Sequence, residues 1–298
     1  MVKIISIDHG NHTIKTLHAA LPAGLAEVRG IAVESVEYQD REYSLSHSRV
    51  PYMRDKTQTE DYFLLSLFAI AREMETLEED VVLAVGLPPA HFKTGRAAFE
   101  DYFLSRSPIT FKYNGCLLKV NVERVLVFPQ AYAAAMICTA ELGGQPRAFV
   151  VDIGGMTVDT LLLRYWRPDM AYTLSLEGGT IRLCNDIIAA LSADLGVRAE
   201  HDQVEAVLRG DNGLFDEPAL RLIHGTAERF TARLLGDLRE KDIDLQTTPS
   251  VFIGGGSLLL RPYIEQSPLV KAPVFVEVIN ANALGYQLLA EKVMVKCE

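Results

Sequence analysis

Short runs of β-branched and other apolar residues, each stopped by Asp, Gly or Pro, constrain this chain more than any other feature. They are Val2–Ile7, Val81–Val85, Arg124–Phe128, Phe149–Val151 and Ser250–Ile253. Runs this short and this uniformly apolar suit strands buried on both faces of a central sheet. Helical patterns lie between them. Thr59–Glu79 carries Leu64, Leu65, Phe68, Ile70, Ala71 and Met74 at helical spacing, with Thr59 at its N-cap. Ala131–Leu142 is a small-residue helix closed by Gly143-Gly144, and Thr180–Leu195, Pro218–Arg239 and Asn282–Val295 follow. Strands alternating with helices predict an α/β fold.

Two of the strand runs end alike. Ile4–Ile7 leads into Asp8-His9-Gly10 with Thr13, and Val150-Val151 leads into Asp152-Ile153-Gly154 with Thr157. The mid-chain break at Gly143-Gly144-Gln145-Pro146 separates them, so the chain reads as a weak duplication with a period near half its 298 residues. With 39 acidic against 29 basic residues the net charge is −10, which gives no general electrostatic grip on nucleic acid or anionic lipid. Direct nucleic-acid binding is therefore not expected. Cys116, Cys138, Cys184 and Cys297 share no CxxC spacing and signal neither a zinc site nor a disulfide scaffold. The N-terminus meets Asp8 too early for a signal peptide. The longest uncharged stretch, Val125–Ala140, is broken by Pro129 and Gln130, short of a membrane span. A soluble, cytoplasmic protein with no membrane partner is expected.

The candidate chemistry sits where strands meet turns. In Asp8-His9-Gly10-Asn11-His12-Thr13-Ile14-Lys15 a carboxylate ends a buried strand and can hold a hydrated Mg²⁺. The glycine turn can aim backbone N–H groups at a phosphate, and Lys15 adds a mobile positive charge. An ordinary hairpin with an Asx-type turn explains these residues equally well. Asp152-Ile153-Gly154-Gly155-Met156-Thr157 repeats the arrangement, with a threonine hydroxyl for phosphate. Gly254-Gly255-Gly256-Ser257 ends another strand and would let backbone approach a flat ligand, although strand-to-helix turns often carry glycines. Pro129-Gln130 opens the small-residue helix. Glu177-Gly178-Gly179-Thr180 reads either as a nucleotide contact through Gly178 and Gly179 or as a plain turn with an N-cap. Asp202 and Glu205 read as surface residues, and Tyr165 with Trp166 as packing.

Together the D-x-G-x-x-x-x-K pattern at Asp8, the D-x-G-G-x-T pattern at Asp152 and the Gly254–Gly256 triplet resemble the two phosphate motifs and the adenosine motif of the actin/Hsp70/sugar-kinase superfamily. Val85-Gly86-Leu87-Pro88 is similar to the Gly-Leu-Pro turn of its plasmid-segregation, ParM/StbA-like branch. The resemblance implies an actin-like, ribonuclease H-like two-domain ATPase fold with Mg²⁺ and ATP, or GTP, in the interdomain cleft. On that resemblance Asp8 and Asp152 organise the metal's waters, and with Gln130 they form the catalytic set. Gly10, Asn11, His12, Thr13 and Lys15 fall at the first phosphate loop. Gly154, Gly155, Met156 and Thr157 fall at the second, with Gly178 and Gly179 nearby. Gly254, Gly255, Gly256 and Ser257 fall beside the adenosine. Gln130 matches the residue that orients the attacking water in actins. Plasmid relatives often have Glu there. An amide positions a water without accepting its proton, so slow hydrolysis is expected.

The domains expected are 1–142, with a small subdomain inserted at about 25–75, and 143–280, with another at about 183–245. A C-terminal helix, 281–298, returns to the first, and each domain is expected to hold a five-stranded sheet. The leading function is a polymerising ATPase that adds head to tail into a filament and acts in plasmid or DNA segregation through a DNA-binding adaptor. The alternative is a sugar or pantothenate-type kinase, which needs a carboxylate base; Asp101 or Asp159 would have to serve. A third is a nucleotide switch that does not polymerise.

Overall fold

The computed structural model describes residues 2–28, 32–48, 50–51, 53, 55–138 and 144–295. In chain order its strands and helices are β1 (Lys3–His9), β2 (Thr13–Lys15), β3 (Ala20–Pro22), β4 (Leu25–Glu27), β5 (Ser35–Tyr38), β6 (Arg41–Leu45), α1 (Asp61–Glu73), β7 (Glu78–Leu87), α2 (Pro89–Leu104), β8 (Ile109–Tyr113), β9 (Cys116–Pro129) and α3 (Tyr132–Ala135). They continue as β10 (Arg147–Ile153), β11 (Thr157–Arg164), β12 (Arg167–Glu177), α4 (Thr180–Leu195), α5 (His201–Leu208), α6 (Glu217–Glu240), β13 (Ser250–Ile253), α7 (Gly255–Glu265), β14 (Val274–Phe275) and α8 (Ala281–Val295). The chain divides into two compact units, Met1–Ile137 with Asn280–Glu298, and Cys138–Ile279.

The first unit is built on a nine-stranded sheet in the order β3-β2-β1-β7-β9-β8-β5-β6-β4. Its centre is parallel: Ile5 lies opposite Leu83, and Val85 opposite Val127. These strands are buried on both faces, which is why they read as unbroken apolar runs. Ile5, Ile7, Leu83 and Val85 face Phe63 and Phe68 of α1 and Phe99 and Phe103 of α2. Val82, Ala84 and Leu126 point the other way, against Ala133 of α3 and Tyr286 and Ala290 of α8. In β9 the first half alternates, with Leu118, Val120 and Val122 buried and Lys119 and Asn121 exposed, while Val125–Val127 is buried throughout.

The second unit holds a five-stranded sheet, β12-β11-β10-β13-β14. β10, β11 and β12 form an antiparallel meander, and β13 and β14 run parallel beside β10. Phe149, Val151, Ile153 and Phe252 pack against Ile187, Leu191, Val204, Ile223, Phe230 and Leu260 from α4, α5, α6 and α7. The strand order repeats that of β3-β2-β1-β7-β9, an antiparallel meander followed by a parallel pair. The paired Asp-x-Gly turns in the sequence thus correspond to one topology used twice.

Three expectations about elements change. The first sheet has nine strands, because β8, β5, β6 and β4 extend the shared five. The helix expected over Thr59–Glu79 ends at Glu73; Met74 turns extended (φ −67°, ψ 141°), and Glu78–Asp80 open β7. Pairing with β9 there overrides the helical preference of the acidic run. The small-residue helix expected over Ala131–Leu142 is one α-turn, Tyr132–Ala135, followed by a 3-10 turn, Met136–Cys138. Its remainder, with Gly143 of the mid-chain break, lies outside the described residues. Thr180–Leu195 is helical over the expected span, and α6 extends Pro218–Arg239 by one residue at each end.

Candidate functional site

In the first unit the candidate residues gather at the carboxyl ends of the parallel strands β1, β7 and β9, the edge where open α/β sheets present ligand-binding loops. Asp8, near the end of β1, is 6% exposed. Its Oδ1 accepts a 3.0 Å hydrogen bond from the side-chain amide of Gln130, one residue past β9. The Gln130 backbone N–H donates to the Leu87 carbonyl at 2.9 Å, so the β7–β9 ladder fixes where that amide starts. Across the β1–β2 hairpin Asp8 lies opposite Lys15, and His9 opposite Ile14. Gly10 closes the turn by donating to the Asp8 carbonyl at 3.0 Å, and a Cβ there would sit 2.6 Å from the Thr13 carbonyl. Asn11 accepts from the Tyr62 hydroxyl at 3.0 Å, while His12 is exposed. Lys15 has no ion-pair partner among the described residues.

His9 takes no position facing a ligand. It is fully buried among Tyr62, Phe99 and Phe103, and its Nε2 lies 2.7 Å from Ser66 Oγ. The Ser66 hydroxyl is itself donated to the Tyr62 carbonyl, so the His9 Nε2–H is the donor of that contact. Burial, and then the nearby Lys56 ammonium, hold the ring well below its usual pKa, so it is neutral. Lys56 is buried too, and its ammonium reaches the His9 carbonyl beneath the first turn.

In the second unit three motifs meet at the ends of β10 and β13. Gly154 N–H donates to the Thr157 carbonyl at 2.9 Å, forming the turn after β10. Gly178 and Gly179 N–H groups donate to the Met156 carbonyl at 2.9 and 3.1 Å. The first N–H groups of α4, at Thr180 and Ile181, donate to the carbonyls of Gly154 and Gly155, each at 3.0 Å. The Asp152 turn therefore caps α4, satisfying donors that a helix start otherwise leaves open. Asp152 is half-buried and Met156 exposed. The Thr157 hydroxyl donates to buried Asp159 at 2.9 Å.

The glycine triplet divides by what surrounds it. Gly254 has φ +85°, and a Cβ there would overlap the Asp152 carboxylate; one at Gly256 would overlap Ile153 and Thr180. Gly255 is exposed with open space where its Cβ would lie. The fold itself demands Gly254 and Gly256, which leaves Gly255 as the position free to admit a ligand. The Ser257 hydroxyl closes the turn on the Gly254 carbonyl at 2.7 Å. Away from these turns, Asp202 is exposed on α5, and Glu205 is held by Arg209 at 2.7 Å. Tyr165 stands 78% exposed at the β11–β12 turn.

No group of three or more His, Cys, Asp or Glu side chains suited to a bare metal ion occurs among the described residues. Each unit instead carries a single carboxylate at the end of a buried strand, Asp8 in the first and Asp152 in the second, and a lone carboxylate suits a cation that keeps its own waters. Sequence reasoning missed residues that brace the chain on either side of the Asp8–Gln130 pair. Asn282 Oδ1 accepts from the Ala131 N–H at 3.1 Å, and Asn280 Nδ2 donates to the carbonyls of Thr16 and Leu17 at 3.1 and 2.7 Å. Neither asparagine, nor Lys56, belongs to any motif, and only their spatial placement identifies them.

A family model described as the N-terminal domain of actin-like proteins matches residues 6–132. Among solved structures the chain is similar to Ta0583, an archaeal actin homolog, at 18% identity and a TM-score of 0.80, over 98% of this chain and 100% of that one. The same homolog in complex with ADP matches at 19% identity and a TM-score of 0.74, with the same coverage. A ParM protein from a 15-stranded filament of Clostridium botulinum matches at 16% identity and a TM-score of 0.74, again over 98% and 100%. Curated protein sequences give no match.

Proposed function

From a chain with the actin-like fold, whose residues 6–132 match the actin-like N-terminal domain, we infer a nucleotide-dependent, filament-forming ATPase of the ParM type. The observation that carries this reading is the Gln130 amide set on the buried Asp8 carboxylate at the mouth of the parallel strands. In the reaction a water oxygen bonds to the γ-phosphorus as the bond to the β,γ-bridging oxygen breaks, leaving ADP and phosphate. Gln130 orients that water by hydrogen bonding and takes no proton from it, which keeps turnover slow. Gly10, Asn11, His12, Thr13 and Lys15 contact phosphates from the first unit. Gly154, Gly155, Met156 and Thr157 form the second unit's phosphate loop, with Gly178 and Gly179 alongside. Gly254–Ser257 lies against the nucleoside, with Gly255 as its closest approach. Asp8 in the first unit and Asp152 in the second are each a carboxylate that would hold waters of Mg²⁺, and the metal would supply neutralisation of developing phosphate charge.

Under this reading the chain assembles with itself, head to tail, in the cytoplasm. The net charge of −10 fits a link to DNA through an adaptor, in a plasmid-segregation role. The ParM filament and the ADP-bound archaeal homolog support the reading by likeness of fold. The kinase alternative gains nothing: Asp101 is exposed on α2, and Asp159 is buried and engaged by Thr157. Light scattering and phosphate release, followed together after adding Mg²⁺ with ATP, GTP or a non-hydrolysable analogue, test the proposal. Scattering that rises with nucleotide and decays as phosphate appears is expected. Phosphate release without scattering at any protein concentration leaves a switch. Turnover that waits for a sugar or pantothenate makes the protein a kinase.

A further inference from the structure

We propose that Asn282 is a positioning residue for Gln130, holding the strained turn that aims the amide at Asp8; this rests on the role inferred above for Gln130. The turn is unusual. The Tyr132 N–H donates back to the Gln130 carbonyl at 2.6 Å, closing a three-residue loop with Ala131 at its centre. Ala131 has φ +64° and ψ −50°, the rare form of γ-turn that an L-residue adopts only under strain. Such a conformation persists when its surroundings hold it.

Two anchors hold it. Upstream, the Gln130 N–H on the Leu87 carbonyl keeps the residue in sheet register. Downstream, the Ala131 N–H, fully buried, is received by Asn282 Oδ1 at 3.1 Å. Without that oxygen a buried donor loses its acceptor, and the turn can relax to an ordinary backbone that carries the Gln130 side chain elsewhere.

Asn282 is itself placed by its own helix. One turn along α8, a Cβ at Gly285 would overlap the Ala133 carbonyl, so α8 sits directly on α3. The Tyr286 ring stacks 6.2 Å from Phe128, two residues before Gln130. Asn280, at the head of the same helix, ties the chain after β2. The start of α8 thus touches the turn after β9 and the chain just after β2, the strand whose Lys15 lies opposite Asp8.

The test compares Asn282→Leu, which removes the oxygen, with Asn282→Asp, which keeps one, beside Gln130→Ala. Steady-state phosphate release gives kcat and KM, and a fluorescent non-hydrolysable ATP analogue gives nucleotide affinity. Asn282→Leu is expected to lower kcat by on the order of tenfold to a hundredfold with analogue affinity unchanged, because a displaced positioning group costs rate and not binding. Asn282→Asp is expected to retain most of the turnover. The double variant Asn282→Leu/Gln130→Ala is expected to be no slower than Gln130→Ala alone, since both act through one amide. Should Asn282→Leu fail to fold, Asn282→Ala carries the same comparison. Wild-type turnover in Asn282→Leu while Gln130→Ala is slow overturns the proposal, as does an equal loss in the Leu and Asp variants. Unchanged turnover in Gln130→Ala defeats the role of Gln130 first, and this inference with it.

Discussion

Asp8 and Gln130 are separated by 122 positions and meet at 3.0 Å because β1 and β9 flank the same central strand. Two residues, one at a turn in each unit, give sharp tests of how tightly the motif turns are built. His9 is neutral in the fold, whereas its unfolded counterpart takes up a proton below about pH 6.5. The folded pKa is the depressed one, so this contribution is complete above pH 6.5 and is lost as the pH falls below it, at about 1.4 kcal/mol per pH unit. Urea midpoints at pH 7.5 and 5.5 should fall more steeply for the native chain than for His9→Leu, and parallel slopes would refute the assignment. Gly256→Ala would force a methyl into Ile153 and Thr180. An overpacking loss of about 1–3 kcal/mol is expected, read as a lower denaturant midpoint.

At the scale of elements, the helices do most of the placing. The Asp152 turn and the start of α4 are one hydrogen-bonded unit, so neither moves without the other. α8 is keyed to α3 through Gly285, and Gly285→Ala is expected to destabilise the fold by about 1–3 kcal/mol and to lower the thermal midpoint. An unchanged midpoint would mean that the helix can slide without cost. The β11–β12 hairpin turns through Tyr165 and Trp166, both left-handed at φ 48° and 62°. Asparagine tolerates that region better than tyrosine. Tyr165→Asn should therefore raise the midpoint, by up to about 1 kcal/mol, and a lower one would show that the exposed ring packs more than its 78% exposure implies.

For the whole molecule, nucleotide and charge are the levers. Mg²⁺ with ATP at a hundred times its dissociation constant should stabilise the chain by about 2.7 kcal/mol, and chelation of the metal should remove part of that. A thermal midpoint indifferent to both would count against nucleotide binding itself. Monomers of charge −10 repel one another. Nucleotide-driven scattering is thus expected to begin at lower protein concentration as salt rises from a low value, because screening weakens the repulsion. A threshold that rises with salt would instead place the contact between oppositely charged patches, whose attraction salt screens.

From the order of residues alone the class of fold and the positions of the Asp- and Gly-bearing turns can be read. Fully buried parallel strands demand unbroken apolar runs, and the turns that end them demand Asp and Gly, so Asp8, Asp152 and the Gly254–Gly256 turn are local signals. The duplication itself was legible for the same reason, since each half carries its own Asp-x-Gly turn, while the shared strand order appears only in the fold. What depends on distant contacts emerges in the folded chain and nowhere in the local pattern. The run Glu78–Asp80 is strand because β9 pairs with it, against its local preference. Ala131 is held at positive φ because Asn282 arrives from 151 positions away. Gly254 and Gly256 are glycine because Asp152, Ile153 and Thr180 crowd them, a packing demand that no spacing records.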